Sequence, residues 1–399
     1  MNEPILSPLP YHREIRDYLK TTEKELWEWF VSARAKENYA EDLRLSLLKS
    51  TYRLTPESHP QLHEQAAKAA AALGLAIPVK LYQSQAGHPS PNAALYYLPD
   101  EAHIVLSGSI TTLLDPLEFT SVLGHELAHH VLWQMENEEF LITDRVLHAV
   151  AADSQAHSVH HETARQYRLH TEIFADRGAA QVTQNLASVV SALVKISTGI
   201  SSVSGDSYLS QAAEIFAKGS VKTEGLSHPE EFMRAHALSL WTQQGESSDS
   251  AIRTMIAGEP GLEGLDLGGQ QHITRLTRRF LEQLLRPAWF QSEPVLAHAR
   301  LFFPDFKPAE DKDPAITDDL RASGSLLKNY FAYLLLDFAH IDRDLDEVPL
   351  AAALRWAEEL GISGHVEKLV TKELGIPARE LSKLKPRITD LLNLAEKSA

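Results

Sequence analysis

Apolar positions along the chain recur mainly at helical spacing, interrupted once by short stretches of strand character. Residues 11–50 read as helical, with Thr22 and Glu25 as a capping box ahead of Leu26, Trp27, Trp29 and Phe30. A second helix spans 61–73 and stops at Gly74, a natural left-handed residue after a helix end. The runs Val79-Lys80-Leu81-Tyr82, Ala94-Leu95-Tyr96-Tyr97 and Ile104-Val105-Leu106 then read as strands of a small sheet. Pro89, Pro91 and a Pro99-Asp100 turn separate the later ones. Asp115 opens the next helix. It can cap, Pro116 suits the first helical position, and Glu118 falls three residues after the cap. Leu117, Val122, Leu123, Leu127 and Val131 give that helix an apolar side, and another helix covers 162–184.

Further along, 258–269 is glycine-rich and reads as a loop, and 304–314, with three prolines, reads as a linker. Helices are expected at 320–338, 348–360, 365–374 and 378–397, with Gly361 and Gly375 as stops. The most apolar segment, 187–203, contains Lys195, a glycine and several serines, so it reads as a buried helix rather than a membrane span. The expected class is α+β and mostly helical.

Composition narrows the function. With 399 residues the chain can hold more than one domain. A net charge of −16 argues against a nucleic-acid surface or a polybasic membrane anchor. The chain has no cysteine, which removes disulfides, thiol catalysis and Cys-based metal sites, and fits a reducing compartment. The first twenty residues lack a signal-peptide core. The expectation is a cytoplasmic protein with no membrane span and no nucleic-acid partner.

The chemistry concentrates in His125-Glu126-Leu127-Ala128-His129. Imidazoles four residues apart share a helical face and can bind one zinc ion, with the carboxylate between them beside the metal's open side. A third ligand is required. Leu132 and Met135 stand where a metzincin would need Gly and His. Glu138, Glu139, Asp144, Asp153 and Glu162 are available but carry no supporting pattern. Glu172 has one: Asp176 lies a turn later on the same face, and could orient a ligating histidine.

The ordered segments Asn92-Ala93-Ala94-Leu95-Tyr96-Tyr97, Ile104 to Ser109, Leu123-Gly124 with the motif, and Glu172-Ile173-Phe174-Ala175-Asp176-Arg177 resemble the HtpX and CAAX-prenyl-protease family of gluzincin metallopeptidases. Ser227-His228-Pro229 followed by Arg234 resembles a further element of that family. The resemblance covers roughly residues 50–240 and implies a zincin-like domain holding one Zn2+ on His125, His129 and Glu172. It implies Glu126 as general base and acid, Asp176 as a ligand-orienting carboxylate, and His228 near the active site with Arg234 a turn or so later. His228 there reads either as an oxyanion-stabilising group or as an occupant of the open zinc position in a resting state, and Arg234 reads as a structural ion-pair residue. The resemblance also implies an edge strand, Asn92 to Leu98, where peptide or protein substrate adds through Asn92, Ala93, Ala94 and Leu95. Many members of that family carry transmembrane helices, and here 130–171 instead hold a polar, His-rich insertion.

The expected domains are a helical segment at 1–55, the zinc metallopeptidase domain at 56–245, a helical connector at 246–314 and an all-α module at 315–399. The acidic turn at Asp342, Asp344 and Asp346 faintly resembles TerB-like helical domains. It lacks the glycine and the twelfth-position glutamate of a calcium loop. The rival to an endopeptidase is a catalytically silent zinc-binding adaptor that recruits a protein partner through the C-terminal module.

Overall fold

The computed structural model describes residues 6–33, 39–85, 90–219, 221–225, 227–258, 262 and 264–398. Pro89 and part of the glycine-rich loop at 258–269 lie outside them. Contacts divide the chain into two compact units, Met1–Gly258 and Glu259–Ala399.

The first unit opens with α1 (Pro10–Thr22), α2 (Lys24–Ala33) and α3 (Tyr39–Ser50), then β1 (Thr51–Leu54) and α4 (Pro60–Ala72). Next come β2 (Val79–Ser84), β3 (Asn92–Leu98), β4 (Glu101–Ser107) and the short α5 (Ile110–Leu113). The two longest helices follow, α6 (Pro116–Ala152) and α7 (Ser158–Thr183). The unit closes with α8 (Leu186–Thr198), α9 (Gly205–Ala217), α10 (Glu231–Gln244) and α11 (Asp249–Ala257).

The four strands form one sheet in the order β1-β2-β4-β3. β2 and β4 run parallel, and the outer pairings are antiparallel. β4 is buried along nearly its whole length, as a central strand should be. β3 is an edge, with Leu95 opposite Ile104 and Asn92 opposite Ser107. β1 was not legible as a strand, because its four residues follow a helical run directly.

The start of α6 forms as its sequence dictates. The Asp115 side chain accepts from the backbone N–H groups of Leu117 and Glu118, and Glu118 Oε2 accepts from Asp115 N at 2.8 Å. Gly74 ends α4 with φ +71°. The polar stretch at 130–171 is the second half of α6 and the first half of α7. α6 bends where Glu136, Asn137 and Glu138 take positive φ, a conformation costly for non-glycine residues. Glu138 there is buried and accepts from the Tyr97 hydroxyl at 3.1 Å. Of the histidines in that stretch, His170 is buried in the core, whereas His148, His157 and His161 are exposed.

The second unit is all helical: α12 (Leu267–Leu284), α13 (Glu293–Phe302), α14 (Ala315–Ala322), α15 (Ser325–Phe338), α16 (Val348–Glu359), α17 (Ser363–Glu373), α18 (Ala378–Leu384) and α19 (Ile388–Ser398). One apolar cluster runs through it from Leu276 to Leu384. The segment 304–314 packs on that cluster: Phe306 is buried, and Ala309 N donates to Glu282 O at 3.0 Å. Gly361 and Gly375 follow α16 and α17 with φ +71° and +65°. The expected helix at 378–397 is broken at Lys385–Arg387, where Pro386 removes a backbone donor. Among the described residues no helix is long and apolar enough to cross a membrane.

Candidate metal centre and cleft

Two helices build the centre. The face of α6 that carries His125 and His129 lies against α7, and the approach is close because the seam is made of small residues. A Cβ placed on Gly178 would stand 2.3 Å from the Ala128 Cβ, and one on Gly124 would stand 3.0 Å from the Val182 Cβ. Glycine at 178 is therefore a packing requirement. The seam brings Glu172 of α7 onto the histidine pair. Ligand atoms of His125, His129 and Glu172 lie within 4.8 Å of one another, the cluster of this kind found among the described residues.

The distances are specific. His125 Nε2 and His129 Nε2 face each other at 3.3 Å. Glu172 Oε2 is 3.4 Å from His125 Nε2, and Glu172 Oε1 is 3.7 Å from His129 Nε2. Asp176 accepts from His125 Nδ1 at 3.0 Å, which fixes that ring with Nε2 turned to the centre. Asp176 is itself clamped by Arg234, which donates through Nε at 2.8 Å and Nη2 at 2.6 Å. Arg234 comes from α10, so three helices fix one imidazole.

The residues fit a divalent metal. Two imidazole nitrogens and a carboxylate converge, and the nearest groups to the buried Glu172 Oε2 are His125 Nε2 and His228 Nε2, both at 3.4 Å. The field agrees. Burial would lower the His125 pKa, but hydrogen bonds to Asp176 and Glu172 hold it up to about 10. The two carboxylates thus favour positive charge between the rings. Burial, with His125 beside it, lowers His129 to about 4. Burial works against ionised Glu172 as well, yet the bond to His125 and the charges of His125, His129 and Arg234 hold its pKa well below the usual range.

Glu126 is buried beside the centre and its carboxylate takes the backbone N–H of Leu95. Burial, with Glu172 nearby, raises its pKa to about 6. His228 approaches from the loop before α10, with Nε2 3.4 Å from Glu172 Oε2 and its side chain 58% exposed. Partial desolvation at the cleft rim lowers its pKa. These groups line a cleft of about 620 Å3, together with Asn92, Ala93, Ala94 and Leu95 of the edge strand.

The other carboxylates weighed as third ligand are elsewhere occupied. Glu139 pairs with Lys20 at 2.6 Å, Glu162 with Arg165 at 2.7 Å, and Asp153 accepts from Gln155 N at 2.8 Å. Asp144 lines the cleft but does not join the cluster. His130 is buried with its Nε2 donating to Leu98 O at 2.9 Å, away from the centre.

Comparison with known proteins follows the same residues. The model of peptidase family M48 matches residues 56–242, a span that contains the cluster, the cleft and Arg234. That segment therefore resembles a peptidase family M48 domain. The chain is also 29% identical over 224 residues to the plastoglobule-localized metallopeptidase 48, chloroplastic, of Arabidopsis thaliana. The alignment covers 52% of this chain and 62% of that protein. No solved structure matches significantly. The matched segment contains β2, β3 and β4 of the mixed sheet and both helices that carry the cluster. Reading along the chain missed the Gly178 seam. Its only trace was small residues at Gly124, Ala128, Ala175, Gly178 and Ala179, which look unremarkable until two helices are paired.

Proposed function

We propose that the chain is a zinc-dependent endopeptidase, with one zinc per chain held by His125, His129 and Glu172. The observation that carries this reading is the buried Glu126 beside a two-nitrogen, one-carboxylate cluster, at the foot of an edge strand. The donor set suits zinc, which when bound supplies Lewis-acid activation of a water and of the scissile carbonyl. Glu126 takes the water's proton on its carboxylate and passes it to the leaving amine. Its burial beside the centre, with the backbone N–H of Leu95 holding the carboxylate, positions it for both halves of that task.

Asp176 holds His125 through Nδ1, and Arg234 holds Asp176 ionised. His228 stands at the cleft rim and donates to the oxygen that gains charge as the carbonyl is attacked. The free side of β3 pairs with substrate backbone as an antiparallel strand through Asn92, Ala93, Ala94 and Leu95. Strand residues lie on both sides of Leu95, which suits a peptide running through the cleft and hence internal cleavage. The site acts on peptide or protein substrate in the cytoplasm.

The test is Glu126→Gln. The variant is expected to keep its metal by elemental analysis and to lose peptide hydrolysis. Undiminished cleavage would sink the mechanism. Glu172→Ala is expected to lose the metal as well.

A further inference from the structure

Helix α1 lies outside the span that matches the family, yet it packs on both helices that carry the metal cluster. Its anchor on α7 is His12, which is fully buried. The ring stands edge-on to Tyr167 and Phe174 of α7, with centroids 5.0 and 6.2 Å away. Its Nδ1 accepts from the Leu9 backbone N–H at 3.2 Å, and so supplies a cap that the Leu9 side chain cannot. A ring nitrogen that accepts carries no proton, which puts the proton of the neutral ring on Nε2. Nε2 donates to Thr171 Oγ1 at 3.2 Å, and Thr171 Oγ1 donates its own proton to Tyr167 O at 2.9 Å. Burial holds the His12 pKa well below its ordinary value, in keeping with a neutral ring.

Thr171 is buried, lines the cleft and immediately precedes Glu172. The bond from His12 therefore grips α7 one residue from the carboxylate that meets His125 and His129. Packing alone does not call for a histidine at this place, since burying a polar ring costs free energy unless its nitrogens are bonded.

The following turns of α1 hold α6. Arg16 pairs with Glu136, and Lys20 reaches Glu139 at 2.6 Å. Glu136 is the first of the three positive-φ residues, which come just after the half of α6 that bears His125 and His129. The helix is itself well fixed. Glu14 is tied to Arg253 of α11 at 2.6 Å, and Tyr11 stacks on His170 at 4.3 Å. Leu6 and Leu9 belong to the same apolar cluster as Leu123, Leu127 and Ile173.

Resting on the reading of His125, His129 and Glu172 as metal ligands, we infer that His12 is a positioning residue of the metal centre, acting through Thr171 to set where Glu172 meets the histidine pair. Helix α1 is then a working part of the centre. Ligand distances in such a site hold to within about 0.2 Å, so a small slide of α7 is felt at the metal.

The experiment uses the full chain. Zinc affinity is read by competition with a chelator, and ligand geometry by the visible absorption of the cobalt-substituted protein. His12→Leu and Thr171→Val are each expected to weaken zinc about tenfold, the low end for a group that supports a ligand, and to shift the cobalt bands. The two residues act through one bond, so the double variant is expected to bind no more weakly than either single. His12→Gln, whose amide accepts from Leu9 and donates to Thr171, restores the wild-type values. Leu19→Ala opens a hole at the other end of α1, and is expected to lower the unfolding midpoint while zinc affinity stays within about twofold.

Thr171→Val keeps the shape of α7 and carries the test by itself where His12→Leu fails to fold. An unchanged zinc affinity and cobalt spectrum in Thr171→Val overturns the role of His12. So do losses that add in the double variant, or a loss of zinc in Leu19→Ala as large as in His12→Leu. A wild-type chain that takes up no zinc, or a Glu172→Ala variant that binds it as tightly as wild type, overturns the ligand reading and this inference with it. That result is told apart from the others because it arises with His12 intact.

Discussion

The two units bury very different things. In Glu259–Ala399 the buried polar side chains among the described residues are Asp266, Thr277 and Gln283. Each has a local structural task. Asp266 caps α12, Thr277 meets the Tyr330 hydroxyl at 3.0 Å, and Gln283 bonds the backbone at Asp311 and Asp313. In Met1–Gly258 the core instead carries Glu118, Glu126, His129, His130, Glu138, His170, Glu172, Asp176, Arg177, Lys195 and Arg234. Burying ions costs several kcal/mol each before any pairing. Part of this excess is structural, as where Glu118 bonds Lys195 and Ser191 and where His130 bonds Leu98 O, and the rest, Glu126, His129, Glu172, Asp176 and Arg234, gathers at one cleft.

That contrast can be broken by experiment. Glu126→Gln is isosteric and carries the largest expected effect, a loss of about 10²–10⁴-fold in kcat with stability held. A fall in the unfolding midpoint with activity kept would mean the residue is structural. Phe331 sits fully buried among the apolar residues of the second unit. Phe331→Ala should cost that unit about 3–5 kcal/mol in denaturant unfolding. Metal content and peptide hydrolysis under native conditions should survive.

Gly178→Ala tests the seam. The added methyl meets Ala128 far inside contact distance, so about 1–3 kcal/mol of stability is expected to go, with weaker metal retention. A variant as stable and as metal-replete as wild type would show that α6 and α7 need not pack so closely. Asp176→Asn keeps the shape but weakens the hold on His125. Metal affinity should fall about 10–100-fold by competition with a chelator, while Phe331→Ala leaves it unmoved.

The smallest effect expected is a pH dependence. Glu101 in the sheet is buried, which would raise its pKa, but Lys80, Arg44 and His103 draw it down to about 2. Its folded value lies below its unfolded one. The stabilisation is therefore complete above the ordinary carboxylate range and is lost as pH falls toward 2. Urea midpoints between pH 5 and 2.5 should drop less steeply in Glu101→Gln than in wild type.

Much of this architecture was legible in one dimension. The α6 start formed with its capping box because Asp115, Pro116 and Glu118 act on neighbouring backbone groups, and Gly74, Gly361 and Gly375 ended helices because only local dihedrals were at stake. His125 and His129 were legible as a pair because helical geometry fixes residues four apart. Glu172 with Asp176 was legible only as a pattern beside that motif. β1 was not, since a four-residue edge strand needs β2 to exist. Nor was the bend at Glu136, Asn137 and Glu138, whose positive φ no local signal asks for.

The sequence by itself determined which atoms could do chemistry: two imidazoles and a carboxylate on one helix, a carboxylate pair on a later one, and no thiol anywhere. Those follow from side-chain identity and helical period, which are local. Only the tertiary structure decided that Glu172 reaches the histidines, that Arg234 clamps Asp176, and that an apolar helix carrying Lys195 becomes a cleft wall. Each depends on how closely two helices approach. That distance is set by small residues and buried ion pairs far apart in the chain, so no window along the sequence contains it.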